Sequence, residues 1–337
     1  KATDKHLGIL RAKIAKISKA LKSKKKKHGI GFNVKKSGDG TVALVGFPNS
    51  GKSSIIKILT GVDSKVANYS FTTVDLIPGM LEYKGAKIQI FDIPGLIEGA
   101  HEGKGEGYKI ASAIRVADLL LIVIDSTNYS QIYTLLNELN LLGIKICSPK
   151  LKIEELPKGG INIVTNGYNV PDEKEIKEIL SGFGIYNANI VFYSNSTAGD
   201  IIDAASGNIY IEAIIALNKV DLVKDFNQII KELSERTGIK VIPISALESY
   251  NIDALKEAIF SGLHLMRIYL KPKLKGDKLE LIIARKGSKV EDIARKIHSE
   301  FAESIKGAYI TGPSAKFKNQ MVGKEHVLMD GDVVTFA

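Results

Sequence analysis

Between Thr41 and Leu263 the apolar residues fall into short β-branched runs that alternate with stretches of helical spacing. Thr41–Val45 reads as a strand and Ser53–Leu59 as a helix. Met80–Phe91 reads as two strands turning at Lys84–Gly85, and Leu119–Asp125 as a buried strand leading into a helix at Ser130–Leu142. Ile209–Leu217 predicts another strand, Phe226–Thr237 a helix, Val241–Ser245 a strand and Asn251–Leu263 a helix. This alternation predicts an α/β fold, a mainly parallel sheet with helices on both faces. The stretch between Gly143 and Asn208 exceeds what the alternation needs. Strands at Ile161–Thr165 and Ala188–Tyr193 around a helix at Asp172–Leu180 make it a small inserted α+β lobe, 145–208, in which nothing suggests chemistry.

The two ends follow other patterns. Leu7, Leu10, Ile14, Ile17 and Leu21 recur at steps of three and four, predicting an amphipathic helix, and Ser23–Gly31 with its four consecutive lysines reads as a basic linker. After Pro272, strands at Leu279–Ala284 and Ala308–Thr311, a helix at Val290–Ile305 and a strand pair over Val327–Phe336 around Asp330–Gly331 suggest a β-grasp module. The expected division is a basic helical region at 1–40, the α/β domain at 41–270 and the β-grasp domain at 273–337.

Composition narrows the setting. A chain of 337 residues, 45% hydrophobic and 25% charged, has material for two or three domains. No apolar run approaches the ~18 residues of a membrane span. Cys147 is the lone cysteine, so no intrachain disulfide forms and the cytoplasm is the expected compartment, with this thiol partly buried and inert. The net charge of +10 is concentrated at one end: residues 1–40 hold 13 Lys/Arg against 2 Asp/Glu. That arm would attract a polyanion such as RNA, unless it is only a solvated helix face.

Chemistry enters with Gly46-Phe47-Pro48-Asn49-Ser50-Gly51-Lys52-Ser53, followed by Ser54, between a predicted strand and a predicted helix. In this phosphate-binding pattern the backbone N–H groups curl around the phosphates, Lys52 reaches the terminal ones and the Ser53 hydroxyl ligates Mg²⁺. Asp92-Ile93-Pro94-Gly95 closes another strand, placing Asp92 near the metal and the Gly95 N–H at the γ-phosphate. Asn218-Lys219-Val220-Asp221 closes a third. There Asp221 can accept from the N1–H and amine of guanine while the Lys219 stem covers the base. Ser245-Ala246-Leu247 closes a fourth, with the Ala246 N–H available to guanine O6. Four boxes in this order predict GTP and GDP as ligands. One of Thr72 and Thr73 is expected to complete the Mg²⁺ shell, and loss of the γ-phosphate would release its loop.

These boxes, with His6-Leu7-Gly8, Tyr83-Lys84-Gly85-Ala86-Lys87-Ile88-Gln89, Pro94-Gly95-Leu96-Ile97-Glu98-Gly99-Ala100, Lys158-Gly159-Gly160-Ile161-Asn162 and Val322-Gly323-Lys324-Glu325-His326, resemble the developmentally regulated GTP-binding proteins, among the Obg-related GTPases. The resemblance implies a P-loop GTPase domain with the inserted lobe, a C-terminal TGS domain, and association with ribosomes and translation. It also makes Thr73 rather than Thr72 the Mg²⁺ ligand. Asp92 is expected to reach the metal through water, and Lys52, Thr73 and Gly95 are expected to carry the catalytic roles.

Leu96 stands where many small GTPases place a water-orienting Gln, so unassisted hydrolysis is expected to be slow. Asn49 suggests a compensating device, because an asparagine at this place in related GTPases helps hold a K⁺ between the phosphates. Arg115 reads as a helix surface residue. Glu98 and His101 read as solvated members of a glycine-rich switch that includes Gly103, Gly105 and Gly107. The expected function is a Mg²⁺-dependent GTPase switch on ribosomes, with a regulatory protein partner as a further expectation. The alternative is a nucleotide-dependent RNA- or ribosome-docking module with hydrolysis as a slow timer.

Overall fold

The computed structural model describes residues 37–61, 78–93, 106–165, 167–271 and 279–337. The predicted N-terminal helix and basic linker, Thr72, Thr73, Pro94, Gly95, Leu96, Glu98 and His101 lie outside the described residues. In chain order the first elements are β1 (Gly40–Val45), α1 (Lys52–Thr60), β2 (Pro78–Tyr83), β3 (Ala86–Asp92), α2 (Glu106–Val116), β4 (Leu119–Asp125) and α3 (Gln131–Leu141). Next come β5 (Ile144–Ile146), β6 (Leu151–Glu155), β7 (Ile161–Val164), α4 (Glu173–Gly182), β8 (Ala188–Phe192), α5 (Ala198–Ala205) and β9 (Ile209–Ile211). Then follow β10 (Ala213–Asn218), α6 (Phe226–Thr237), β11 (Lys240–Pro243), α7 (Ile252–Gly262) and β12 (Leu265–Leu270). The chain finishes with β13 (Glu280–Arg285), α8 (Val290–Ile297), α9 (Ser299–Ser304), β14 (Gly307–Thr311), β15 (Gln320–Gly323) and β16 (Val333–Phe336). Among the described residues no helix is long and apolar enough to cross a membrane.

The chain forms two compact units, one within 98–115 and 133–212, the other within 34–97, 116–132 and 213–337. The second unit holds a six-stranded sheet in the order β11–β10–β4–β1–β3–β2. Every pair in it is parallel except β2 with β3. Val42 to Val45 of β1 and Leu119 to Ile124 of β4 are unbroken apolar runs because both of their faces are covered. The β2–β3 hairpin turns at Lys84 (φ 51°) and Gly85 (φ 82°), two left-handed residues whose twist matches that of the strands.

The same unit carries a five-stranded sheet, β13–β12–β16–β14–β15, whose inner face is covered by α8 and α9. This sheet starts earlier than the expected 273: β12 pairs antiparallel with β13 and parallel with β16. The alternation along Leu265–Leu270 decides this, since Met266, Ile268 and Leu270 face the second core while Leu265 joins the first. Ile283 of β13 also packs in the first core. Arg285 pairs with Asp118 at 3.2 Å, and Asp118 accepts from the Thr41 N–H at 3.0 Å. The expected helix at Val290–Ile305 is two helices. His298 is extended (φ −160°, ψ 138°), and the bend returns Ala302 and Ile305 to the core already lined by Ile293 and Ala294. The expected strand pair over Val327–Phe336 reduces to β16, because Asp332, fully buried, accepts from the Met329 and Ser314 N–H groups and holds a turn there.

The first unit contains the lobe, where β6, β8 and β7 form a three-stranded sheet packed against α4 and α5. Asp172 caps α4 by accepting from the Glu175 N–H, and Thr197 with Asp200 forms a capping box on α5. The expected strand at Ile209–Leu217 is interrupted at Glu212: β9 pairs with β5, while β10 lies in the six-stranded sheet. Cys147 is exposed rather than partly buried. Local burial still raises its thiol pKa, against the lowering charges of Lys150 and Lys145. Gly107, expected in a flexible switch, lies inside α2, and Arg115 of α2 donates to the Gly207 carbonyl at 3.2 Å.

Candidate nucleotide site

The site lies where β1, β3, β4 and β10 end side by side. Leu44 is in register with Asp92, and Asn218 with Asp125. In a parallel sheet this carboxyl edge is where loops leave the core and ligands bind. Beyond β1, the chain passes so close to β4 that a Cβ on Gly46 would come within 2.3 Å of the Val123 carbonyl oxygen. Asn49 (φ 63°) and Gly51 (φ 97°) are left-handed, which wraps the loop into the start of α1. No side chain caps that helix, so its first N–H groups face an anion unopposed. Lys52 Nζ donates to the Gly46 carbonyl at 2.9 Å and the Phe47 carbonyl at 3.3 Å, which fixes the ammonium over the loop. Pro48, Asn49, Ser53 and Ser54 are exposed, and Ser50 is buried with an unpartnered Oγ.

Asp92 ends β3, and Ile93 beside it is buried, its N–H bonded to the Leu44 carbonyl at 3.0 Å. Burial raises the Asp92 pKa, opposed by the charge of Lys52 and the Ile93 N–H. One oxygen of Asp92, Oδ1, is buried without a hydrogen-bond partner. A half-buried carboxylate with an orphaned oxygen at the end of β3 and a serine hydroxyl in the first turn of α1 are hard oxygen donors of the kind that fits Mg²⁺.

The loop after β10 is braced from two sides. Asn218, 2% exposed, donates from Nδ2 to the Ser50 carbonyl at 2.9 Å and accepts at Oδ1 from the Ala246 N–H at 3.0 Å. One amide therefore ties the phosphate loop to the Ser245-Ala246-Leu247 loop. A Cβ on Gly51 would stand 2.1 Å from its Nδ2, so the glycine is needed for the tie. The Ala246 N–H, expected to meet guanine O6, donates here to Asn218. Ser245 is buried and its Oγ accepts from the Glu248 N–H at 3.1 Å, while Leu247 is 83% exposed. Asp221 is exposed, its carboxylate open to an incoming base.

Lys219 is left-handed (φ 62°) and doubly held: its Nζ meets Asp125 Oδ2 at 2.6 Å, and its carbonyl accepts from Ser126 Oγ at 2.7 Å. Sequence reasoning missed this brace. The available signal was an acid ending an otherwise apolar strand. Burial would raise the Asp125 pKa, but the hydrogen bonds from Lys219 and Thr127 outweigh it and hold the carboxyl below the ordinary aspartate value. A lowered folded pKa gives a contribution that is complete above the unfolded value and fades as pH falls through the folded one. The brace is therefore intact throughout the neutral and mildly acidic range. Asp125→Ala is expected to speed release of fluorescent GDP about tenfold, as loss of a partly exposed charged hydrogen bond would. That increase should be the same at pH 7 and pH 5.5, and an unchanged release rate would show that Lys219 needs no brace.

Comparison with known proteins fits this geometry. The family described as a 50S ribosome-binding GTPase matches residues 41–148, the C-terminal region of that domain matches 158–265, and the TGS domain matches 266–337. An uncharacterised GTP-binding protein of Methanocaldococcus jannaschii is 41% identical over 99% of this chain and 88% of its own length. Developmentally-regulated GTP-binding protein 1 of Xenopus laevis and developmentally-regulated G-protein 3 of Arabidopsis thaliana are each 40% identical over 99% of this chain and 93% of their own. With a phosphate loop, a guanine-type loop and a C-terminal β-grasp sheet in one chain, and relatives of this closeness along its length, the protein is a GTP-binding member of the developmentally regulated GTP-binding protein family.

Proposed function

We propose that the protein hydrolyses GTP to GDP and phosphate with Mg²⁺, slowly when alone, and acts as a cytoplasmic switch that docks on ribosomes. The observation that carries this reading is the meeting on one sheet edge of the Lys52 ammonium, the orphaned Asp92 oxygen and the braced loop bearing Asp221. Ser53, Thr73 and Asp92, the last through water, would hold Mg²⁺, which when bound would supply positive charge to offset that of the phosphates. Lys52 places a second positive charge at the same phosphates, and the Gly95 N–H orients the γ-phosphate. Asn49, exposed and left-handed at the loop, is the side chain assigned to a K⁺. Leu96 has no group to align water, which supports slow turnover and a partner that accelerates it. The basic residues of 1–40 and the ribosome-binding description of the matching GTPase family support docking on ribosomal RNA.

Single-turnover hydrolysis tests the reading, measured with and without ribosomes, in KCl and in NaCl at equal ionic strength. Ribosomes are expected to raise the rate by about tenfold or more, as supplied charge stabilisation does, and KCl to exceed NaCl. A rate indifferent to ribosomes would leave an autonomous GTPase and overturn the docking. Equal rates in the two salts would remove K⁺ from Asn49.

A further inference from the structure

The run Tyr83-Lys84-Gly85 turns the β2–β3 hairpin and takes no part in the nucleotide site. It lies at the opposite end of β3 from Asp92, across an extended strand that spans about 20 Å at the usual rise per residue. The hairpin therefore has one end at the nucleotide and the other far from it. Asp92 closes β3 at the nucleotide end, and Thr73 precedes Pro78, the first residue of β2, by five positions of sequence. Both are metal ligands in the reading above. Among the described residues β2 is the outermost strand of its sheet and pairs only with β3, so it has the fewest bonds resisting a shift.

The far end is seated on two other elements. Lys84 Nζ meets Glu257 Oε2 of α7 at 2.6 Å, and the Tyr83 hydroxyl donates to the same oxygen at 2.8 Å. The Tyr83 ring stands edge-to-face on Phe260 of α7 at 6.1 Å, and the Lys84 ammonium lies 5.5 and 5.6 Å from the two ring centres. Gly85 rests against Leu281 of β13 so closely that a Cβ would come within 2.2 Å of its Cδ2. The Lys84 charge reaches further into the C-terminal sheet. Asp330 is joined to Arg267 of β12 by bonds of 2.7 and 3.1 Å, and its pKa is lowered chiefly by that guanidinium, against the opposing effect of burial, with Lys84 adding to the lowering. The Glu257 side chain is 46% exposed, so this polar joint opens to water at little cost, unlike the apolar joint of Leu265 and Ile283.

We propose that the β2–β3 hairpin couples the nucleotide site to the C-terminal sheet, with Glu257 as its latch: the Tyr83-Lys84-Gly85 turn is seated on Glu257 and Leu281 with GDP and drawn off them with GTP. The inference rests on the switch reading and deepens it, naming the part that carries the nucleotide state to the β13 side of the second sheet. When Thr73 and Asp92 close on the metal beside the γ-phosphate, both strands of the hairpin are pulled at the same end, and extended backbone has no slack to absorb the pull. The turn at the other end then leaves its seat. A joint that served only to fasten the two sheets would hold equally with either nucleotide. Coupling is reciprocal, so the seated turn also favours GDP over GTP.

The test is hydrogen exchange read by mass spectrometry on the full chain with Mg²⁺ and either GDP or a non-hydrolysable imido analogue of GTP. In the wild type the β13 amides, Glu280–Arg285, should exchange about fivefold or more faster with the analogue than with GDP. In Glu257→Ala the two rates should coincide, and affinity for the analogue relative to GDP should rise by about fivefold, as reciprocity requires. Lys84→Glu should behave alike, and Lys84→Glu combined with Glu257→Lys, which restores the pair in reverse, should recover the difference. Equal β13 exchange in the two states of the wild type would overturn the coupling, as would a difference that survives undiminished in Glu257→Ala. Normal single-turnover hydrolysis beside either of those results would leave the GTPase reading standing. An analogue that fails to bind the wild type would remove that reading and the coupling together.

Discussion

Asn218→Ala is expected to weaken GDP and GTP binding by on the order of a hundredfold while the chain stays folded. The buried amide makes two bonds, to the Ser50 carbonyl and from the Ala246 N–H, and each joins a different ligand loop to β10. Removing it leaves a carbonyl and an N–H near the core without partners, at about 1–3 kcal/mol for each unsatisfied group. In the free protein the loops can relax toward water and recover part of that. Bound nucleotide would require both loops in place, so the loss falls mainly on affinity, where about 1.4 kcal/mol is tenfold. Asn218→Asp keeps the acceptor for Ala246 but loses the donor to Ser50, and should fall between wild type and Ala. Calorimetric titration with GDP checks the order, and a change of less than about threefold in the alanine variant would mean that the two loops hold themselves.

Asp221→Asn is expected to reverse the choice of base. The exposed carboxylate offers two acceptors to the N1–H and 2-amino group of guanine, and an amide replaces one acceptor with a donor that faces the 2-amino hydrogens. Losing a charged hydrogen bond of about 1.5–3 kcal/mol, with a donor clash added, predicts GTP affinity lower by on the order of a hundredfold or more. Xanthine carries an oxygen at that ring position and should gain what guanine loses. Because Asp221 is exposed, repacking does not confuse the result. Competition of GTP and XTP for the variant checks it, and undiminished GTP binding would move base recognition away from this loop.

How much could be read beforehand follows from what each signal encodes. The strands β1, β4 and β10 announce themselves because burial on both faces demands continuous apolar residues, and the phosphate loop because its glycines serve positions that tolerate no Cβ. An apolar run does not say which neighbours it pairs with, so Ile209–Leu217 gave no sign of dividing at Glu212 between two sheets. Nor could spacing place β12 in the C-terminal sheet, since Leu265 and Met266 are equally apolar and face different cores. His298 breaks a helix without glycine or proline, because the packing of Ala302 and Ile305 outweighs local propensity. At the site the residue types were legible but some of their tasks were not. Asn218 belongs to a motif associated with the base, yet its visible bonds fasten the phosphate loop. Asp125 and Lys219 meet across 94 residues of sequence, a distance at which no local pattern operates.

Displacement of fluorescent GDP from wild-type protein with Mg²⁺ present, by GTP and by ATP, tests the central claim most directly. A loop that hydrogen-bonds the guanine edge should reject adenine by a thousandfold or more. GTP should therefore compete at concentrations near that of the probe, with ATP ineffective even in large excess. Displacement by ATP at the same concentration as GTP would contradict guanine recognition by Asp221.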